Sequence, residues 1–227
     1  MSSSTGCSTS RRAGSRSSAR RSARPARPPP SCSRRQEPQA TQCHKLVLAS
    51  GNAHKLEELR RALPGFEVEL LGRDDPPAED GATYADNARI KARWGRTHTP
   101  EDAWAVGEDS GIESVALGGA PGVRTARWAA GDPVGRMLEA LTGEDERAAR
   151  YVCVMVAIAA DGRELVAEGT LEGRLAREAT GDEGFGFDPV FVPEGETRTV
   201  AALGDAWKRE HSHRARAARR LAMLLAP

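Results

Sequence analysis

The stretch whose reading decides the fold is KLVLASGNAHKLEELRRAL, Lys45 to Leu63. Leu46 to Ala49 are short apolar residues suited to a buried strand, and Leu56, Leu59 and Leu63 recur at helical spacing. The pattern predicts a strand, a loop and a helix, which places the chain in the α/β class. Free backbone N–H groups and the positive end of the dipole face such a loop, and Gly51 admits a ligand close to the backbone. The loop is no Walker A motif, because G-x-x-x-x-G-K-[ST] is absent and Lys55 falls inside the first helical turn. Phosphate binding and an ordinary tight turn both fit the loop taken alone.

Outward from this unit, FEVELLG alternates as a half-buried strand, and residues 72–81 form a loop rich in proline and acids. TYADNARIKARWGR predicts a helix with Thr83 as cap and Asp86 completing a capping box. AWAVG predicts a short buried strand that ends at Glu108-Asp109-Ser110-Gly111. DPVGRMLEALTG predicts a helix capped by Asp132, and YVCVMVAIAA and ELVAEGTLEGRLA flank the hairpin signal Asp161-Gly162. SHRARAARRLAMLL predicts a last helix, with Ser212 as its cap.

The formal net charge of +1 conceals an asymmetry. No acidic residue precedes Glu37, and nine arginines lie within residues 11–35, so the rest carries 24 basic against 32 acidic residues, a balance of −8. Residues 1–42 have no apolar periodicity and read as a disordered Arg/Ser/Pro-rich tail. A transit peptide, a nucleic-acid-binding arm and sequence upstream of a misassigned start are the three readings, and the third is preferred. No apolar run suits a secretory signal or a bilayer span. Cysteines at positions 7, 32, 43 and 153 form no C-x-x-C pair, so neither a disulfide framework nor a zinc site is indicated and a cytoplasmic setting is expected.

Three groups of residues can carry chemistry. Glu79, on a loop, and Asp109, at a strand end, are acids that a core does not require, and Mg²⁺ takes one or two carboxylates with waters and substrate phosphates completing its shell. Solvated or turn-forming acids are the alternative. The chain has only four lysines, Lys45, Lys55, Lys91 and Lys208, and a lysine kept in so Arg-rich a sequence suits a phosphate oxygen, though each also reads as a surface lysine. GFGFDPVF is an apolar, glycine-flanked loop ending in Asp188, able to stack on a flat ring and accept its N–H groups, or else to pack into the core.

In order, SGNAHKLEEL, EDGATYADNARIKA, GEDSGI, LGGAPGVRTARW, GFGFDPVF and KREHSHRARA resemble the inosine triphosphate pyrophosphatase family over essentially all of Lys45 to Leu225. The resemblance implies a nucleoside triphosphate pyrophosphatase domain over residues 43–227, with an elongated mixed sheet flanked by helices, a central nucleotide cleft and a homodimer. It implies Mg²⁺-dependent cleavage of dITP, ITP or XTP to the monophosphate and pyrophosphate, with Mn²⁺ as an alternative metal. Ser50, Gly51, Asn52 and Lys55 would cradle the triphosphate, and Glu79 and Asp109 would hold metal, Asp109 also accepting a proton. Lys91 and Ser110 would contact substrate. Phe185, Gly186, Phe187 and Asp188 would receive the base, and Lys208, His213 and Arg214 would close over it. The family usually has an aromatic residue where Arg124 stands and an acid at Trp207. A Maf-type nucleotide pyrophosphatase and a nucleic-acid-binding protein acting through the tail are the competing readings. The folded domain itself, being acidic, is not expected to bind nucleic acid.

Overall fold

The computed structural model describes residues 45–73, 75–129 and 131–226, so the readings for residues 1–42 and for Cys43 lie outside it. Strand β1 (Lys45–Leu48) leads into helix α1 (Ala53–Ala62), and β2 (Glu67–Leu70) returns parallel to β1. Helix α2 (Tyr84–Arg96) starts at the expected capping box, in which Thr83 and Asp86 satisfy each other's backbone N–H groups. Strands β3 (Ala103–Ser114), β4 (Ala148–Ile158), β5 (Glu164–Leu175) and β6 (Phe191–Pro193) follow. Helices α3 (Thr125–Trp128) and α4 (Pro133–Ala140) lie between β3 and β4, and α5 (Val200–Leu203), α6 (Asp205–His211) and α7 (His213–Leu225) close the chain. The mixed sheet runs β2-β1-β3-β4-β5-β6, parallel where β1 meets β2 and β3, and antiparallel from β3 onward.

One boundary differs from the sequence reading in a way that matters. AWAVG does not end before Glu108: β3 continues to Ser114, with Glu108 opposite Met155 and Asp109 opposite Val154 on β4. Its other neighbour, β1, stops at Leu48 opposite Val106. From Gly107 onward, therefore, β3 has a partner strand on one edge and a notch on the other. Such a notch, at the carboxyl end of β1 where strand order changes, is where open α/β sheets collect ligands.

Alternation along the strands assigns the two carboxylates to opposite faces. Trp104 and Val106 of β3, with Cys153, Met155 and Ala157 of β4, pack against α1 and α7 through Leu56, Leu59, Ala217 and Leu221. Val152, Val154, Val156 and Ile158 pack on the opposite face against Tyr84, Ala88 and Ala92 of α2. Glu108 thus joins the α1/α7 side and Asp109 the α2 side. Both helices approach the sheet over a glycine. A Cβ built at Gly107 would stand 2.0 Å from Ala88 O, and one at Gly169 would stand 2.3 Å from His213 O.

Those obstructing atoms are backbone, so they cannot swing aside. Gly107→Ala is expected to push α2 off the sheet, costing about 1–3 kcal/mol in a denaturant titration. It should also lower activity, because α2 carries residues that reach Asp109. A mutant of wild-type stability would show that the helix does not depend on this close approach.

Candidate active site

The β1–α1 turn is organised by its own side chains. Asn52 caps α1, its Oδ1 accepting from His54 N at 2.9 Å and Lys55 N at 3.3 Å, and Ser50 Oγ accepts from Asn52 N at 3.1 Å. The Asn52 carbonyl is therefore spent on the helix, leaving its amide nitrogen as the group for an acceptor. The protein leaves open space where a Cβ on Gly51 would stand. Lys55 reaches across the notch to Glu108, Nζ to Oε2 at 2.5 Å.

Glu108 is the centre of the α7 side. Besides Lys55, its Oε1 accepts from Arg214 Nη2 at 3.2 Å and from the Cys153 thiol at 3.3 Å. Arg214 also donates to Ser110 Oγ at 3.0 Å and pairs closely with Glu58, whose other oxygen holds Lys208 Nζ at 2.8 Å. Burial raises the Glu108 carboxyl, but Lys55 and Arg214 outweigh it and hold the group well below the carboxylate range. At Glu58, too, burial raises the carboxyl, but Arg214 and Lys208 outweigh it and leave the group below its ordinary value. Burial disfavours the Arg214 cation, yet Glu108 and Glu58 raise its value further, so all three groups are charged.

A cavity of about 160 Å³ opens beside this network, walled by Ser110, Gly111, Phe185, Phe187 and Asp188. The GFGF segment is divided between solvent and core. Phe187 is buried in the cluster around Ile112 and Phe191, whereas Phe185 is half-exposed, with Lys208 Nζ 3.9 Å above its ring and His54 5.5 Å away. Asp188 accepts from Lys208 Nζ at 2.6 Å, Phe185 N at 2.8 Å and Tyr151 OH at 3.4 Å. Its carboxyl is raised by burial, against the pull of Lys208. Gly186, like Gly184, has a positive φ that suits glycine in this turn.

His213 lines the same cavity, stacked on Tyr151 with ring centres 4.6 Å apart, and its Nδ1 has no hydrogen-bond partner among the described residues. Burial, reinforced by Arg214, holds its pKa well below the ordinary 6.5, so the ring is neutral and offers one donor and one acceptor. A depressed value makes the unfolded chain bind the extra proton. The stabilisation is therefore present above about pH 6.5 and is lost as pH falls below it, at about 1.4 kcal/mol per pH unit. His213→Gln is expected to flatten that slope below pH 6.5 in urea titrations, and parallel wild-type and mutant slopes would contradict the burial argument.

On the opposite face, Asp109 is nearly buried among α2 side chains. Asn87 Nδ2 donates to its Oδ2 at 3.0 Å, and Lys91 Nζ lies 3.4 Å from its Oδ1 and 3.2 Å from Glu79 Oε1. Burial pushes the Asp109 carboxyl above the usual range, with Lys91 and Asn87 acting against the rise. Among the described residues no cluster of three or more His, Cys, Asp and Glu could enclose a metal. The donor set nevertheless suits a hard dication, since carboxylate oxygens of Glu79 and Asp109 already converge on one cationic group.

The site residues named from sequence therefore fall into two linked clusters along β3. Ser50 to Lys55, Ser110, Lys208, His213 and Arg214 lie on or beside the Glu108 side, and Glu79, Lys91 and Asp109 meet on the α2 side. Lys208 sits within α6, just before the last helix, α7. Sequence reasoning missed Glu108, Glu58, Asn87 and Tyr151. Spacing could have found two of them: Glu58 is one helical turn from Lys55, and Asn87 one turn before Lys91. Trp207, at the position expected to be acidic, donates from Nε1 to Glu196 at 3.1 Å.

A larger groove of about 890 Å³ crosses the far ends of β3 to β6 and shares no lining residue with either cluster. Its charged walls include the Arg150–Glu113 pair at 2.8 Å, which satisfy each other, so size does not make it the reactive centre. No helix of the described residues is long and apolar enough to cross a membrane.

The Ham1 family matches residues 46–224. A dITP/XTP pyrophosphatase of Gloeobacter violaceus is 42% identical over 181 residues, covering 78% of this chain and 91% of that protein. One of Corynebacterium glutamicum is 44% identical over 196 residues, covering 78% and 94%. The solved Ham1 protein of Staphylococcus aureus superposes with a TM-score of 0.71 at 30% identity, covering 80% of this chain and 97% of that one. A nucleoside-triphosphatase, dITP/XTP pyrophosphatase, of Mycobacterium abscessus gives 0.63 at 39% identity, covering 81% and 100%.

Proposed function

The chain belongs to the Ham1 family, and on that premise we propose that it hydrolyses deaminated purine nucleoside triphosphates such as dITP and XTP to the monophosphate and pyrophosphate. The observation that carries the reading is the division along β3: a partly aromatic cavity with neutral His213 on one face, and Asp109 with Lys91 and Glu79 on the other. The domain that does this is taken as residues 43–227.

In this reading Lys55 and the Ser50–Asn52 turn hold the triphosphate, and Lys91 adds a second positive charge beside it. Asp109 accepts the proton of the attacking water on a carboxylate that Asn87 holds at Oδ2 and Lys91 meets at Oδ1. Its raised pKa makes it a better proton acceptor than an exposed aspartate. Mg²⁺, or Mn²⁺ in its place, held by Glu79 and Asp109, would supply charge neutralisation and a lowered pKa for water. Positioning and charge neutralisation by fixed groups carry most of the rate in such phosphoanhydride chemistry.

Phe185 and Phe187 are the groups that would stack on the base, with Asp188 and His213 meeting its edge. A 6-oxo acceptor beside an N1–H donor is complementary to such a pair, whereas the 6-amino group and N1 of adenine reverse it. Asp188 is already engaged by Lys208, so a bound base shares or displaces that contact. A cytoplasmic homodimer completes the reading.

The test is product identity. With Mg²⁺, dITP and XTP are expected to yield pyrophosphate and no orthophosphate. Orthophosphate release would overturn the proposed cleavage, and turnover of pyrimidine triphosphates alone would favour the Maf-type chemistry.

A further inference from the structure

The two carboxylates proposed to hold the metal do not wait as an open pair. The Lys91 ammonium stands between them, 3.2 Å from Glu79 Oε1 and 3.4 Å from Asp109 Oδ1. We propose that Lys91 occupies, in the resting enzyme, the position the divalent ion takes in the working one, so that metal binds well only together with the triphosphate. This rests on the reading of Glu79 and Asp109 as the metal ligands.

Charge and confinement both tie Lys91 to the carboxylates. A dication entering between Glu79 and Asp109 takes over the negative charge that now balances Lys91, and two cations cannot share that point. Lys91 is only 6% exposed, so its ammonium has no easy route to water. Nor can its helix carry it away, since α2 is seated on Gly107 with no room for a Cβ beneath Ala88 and Ala92. An ammonium displaced but still buried without an anion is costly.

Charge around the notch offers no replacement. Glu108 is committed to Lys55 and Arg214, Glu58 to Lys208 and Arg214, and Asp188 to Lys208. The counter-charge for Lys91 must come from outside. A triphosphate brings it: its oxygens can accept the released ammonium while also completing the metal shell. One lysine thereby links two binding events, guarding the carboxylates when the site is empty and joining the phosphate when it is filled.

The test measures metal binding without turnover. Mn²⁺ would be titrated into the full-length enzyme, its free concentration followed by paramagnetic resonance, with and without the non-hydrolysable α,β-methylene analogue of dITP. Wild-type enzyme should bind Mn²⁺ weakly alone and about 10- to 100-fold more tightly with the analogue. Lys91→Met should bind Mn²⁺ alone at least about tenfold more tightly than wild type and show correspondingly less enhancement. Lys91→Gln, uncharged but still able to donate to the carboxylates, serves as the second variant should the methionine fail to fold.

Unchanged or weaker Mn²⁺ binding in the folded Lys91 variant would overturn the proposal. Glu79→Gln separates the two levels of the argument. If it leaves Mn²⁺ binding intact both with and without the analogue, the assignment of the ligands fails, and the role of Lys91 falls with it. If it weakens binding while the Lys91 variants gain nothing, the ligands stand and only the placeholder is wrong.

Discussion

Asp109→Asn is expected to reduce turnover of dITP by about 10²-fold or more while leaving the fold nearly as stable as before. The substitution keeps the volume of the side chain and an oxygen able to accept from Asn87, which now donates to Oδ2 at 3.0 Å. Lys91 would retain Glu79 as its counter-charge. Replacing a carboxylate whose ionisation is already opposed by burial removes little favourable electrostatic energy. What disappears is the only atom in this arrangement proposed to take the proton from water. The measurement is kcat at saturating metal and substrate, alongside a thermal melt. A mutant within tenfold of wild type, with an unchanged melt, would remove Asp109 from the role of base.

Glu108→Gln should have the largest effect on stability, about 3 kcal/mol in a urea titration. Glu108 is fully buried and carries the negative charge for both Lys55 and Arg214. Taking away one member of a buried ionic network strands the others, which typically costs 3–5 kcal/mol. The lower end applies because Glu58 remains with Arg214 and Lys55 retains some contact with water. Combining Glu108→Gln with Arg214→Met should cost less than the sum of the two single changes, since each removes the partner the other leaves behind. A single-mutant loss under about 1 kcal/mol, or strict additivity, would show that the two charges do not depend on each other.

Much of this arrangement was legible in the sequence, for identifiable reasons. The strand-loop-helix at Lys45 to Leu63, the Thr83 capping box, the Asp132 and Ser212 caps and the Asp161-Gly162 hairpin are local signals read from spacing and turn chemistry, and the described structure has each of them. The length of β3 was not legible. Glu108, Asp109 and Ser110 look like the end of a strand because they are polar, and only pairing with β4 keeps them in the sheet. The same extension makes alternation send Glu108 and Asp109 to opposite faces.

Glu108 was overlooked because a carboxylate in a buried strand is justified only by cations far away in the sequence, Lys55 and Arg214. Gly107 and Gly169 gave no sign of their purpose either: each is needed for a helix that lies across it, a relation no local pattern records. The motifs proposed to face substrate were legible for the opposite reason. A lysine in an Arg-rich chain, and an Asp closing an aromatic, glycine-bracketed loop, advertise chemistry within a few residues of each other.

The central claim is that the cavity beside β3 selects a 6-oxo purine for the carboxylate and lysines at the notch. The ratio of kcat/KM for dITP to that for dATP, measured with Mg²⁺ on the wild-type enzyme, tests it most directly. A ratio of at least about 10² in favour of dITP is expected, because adenine leaves buried polar groups of the pocket unpaired. A ratio within about tenfold of unity would contradict it, whatever the turnover of dITP itself.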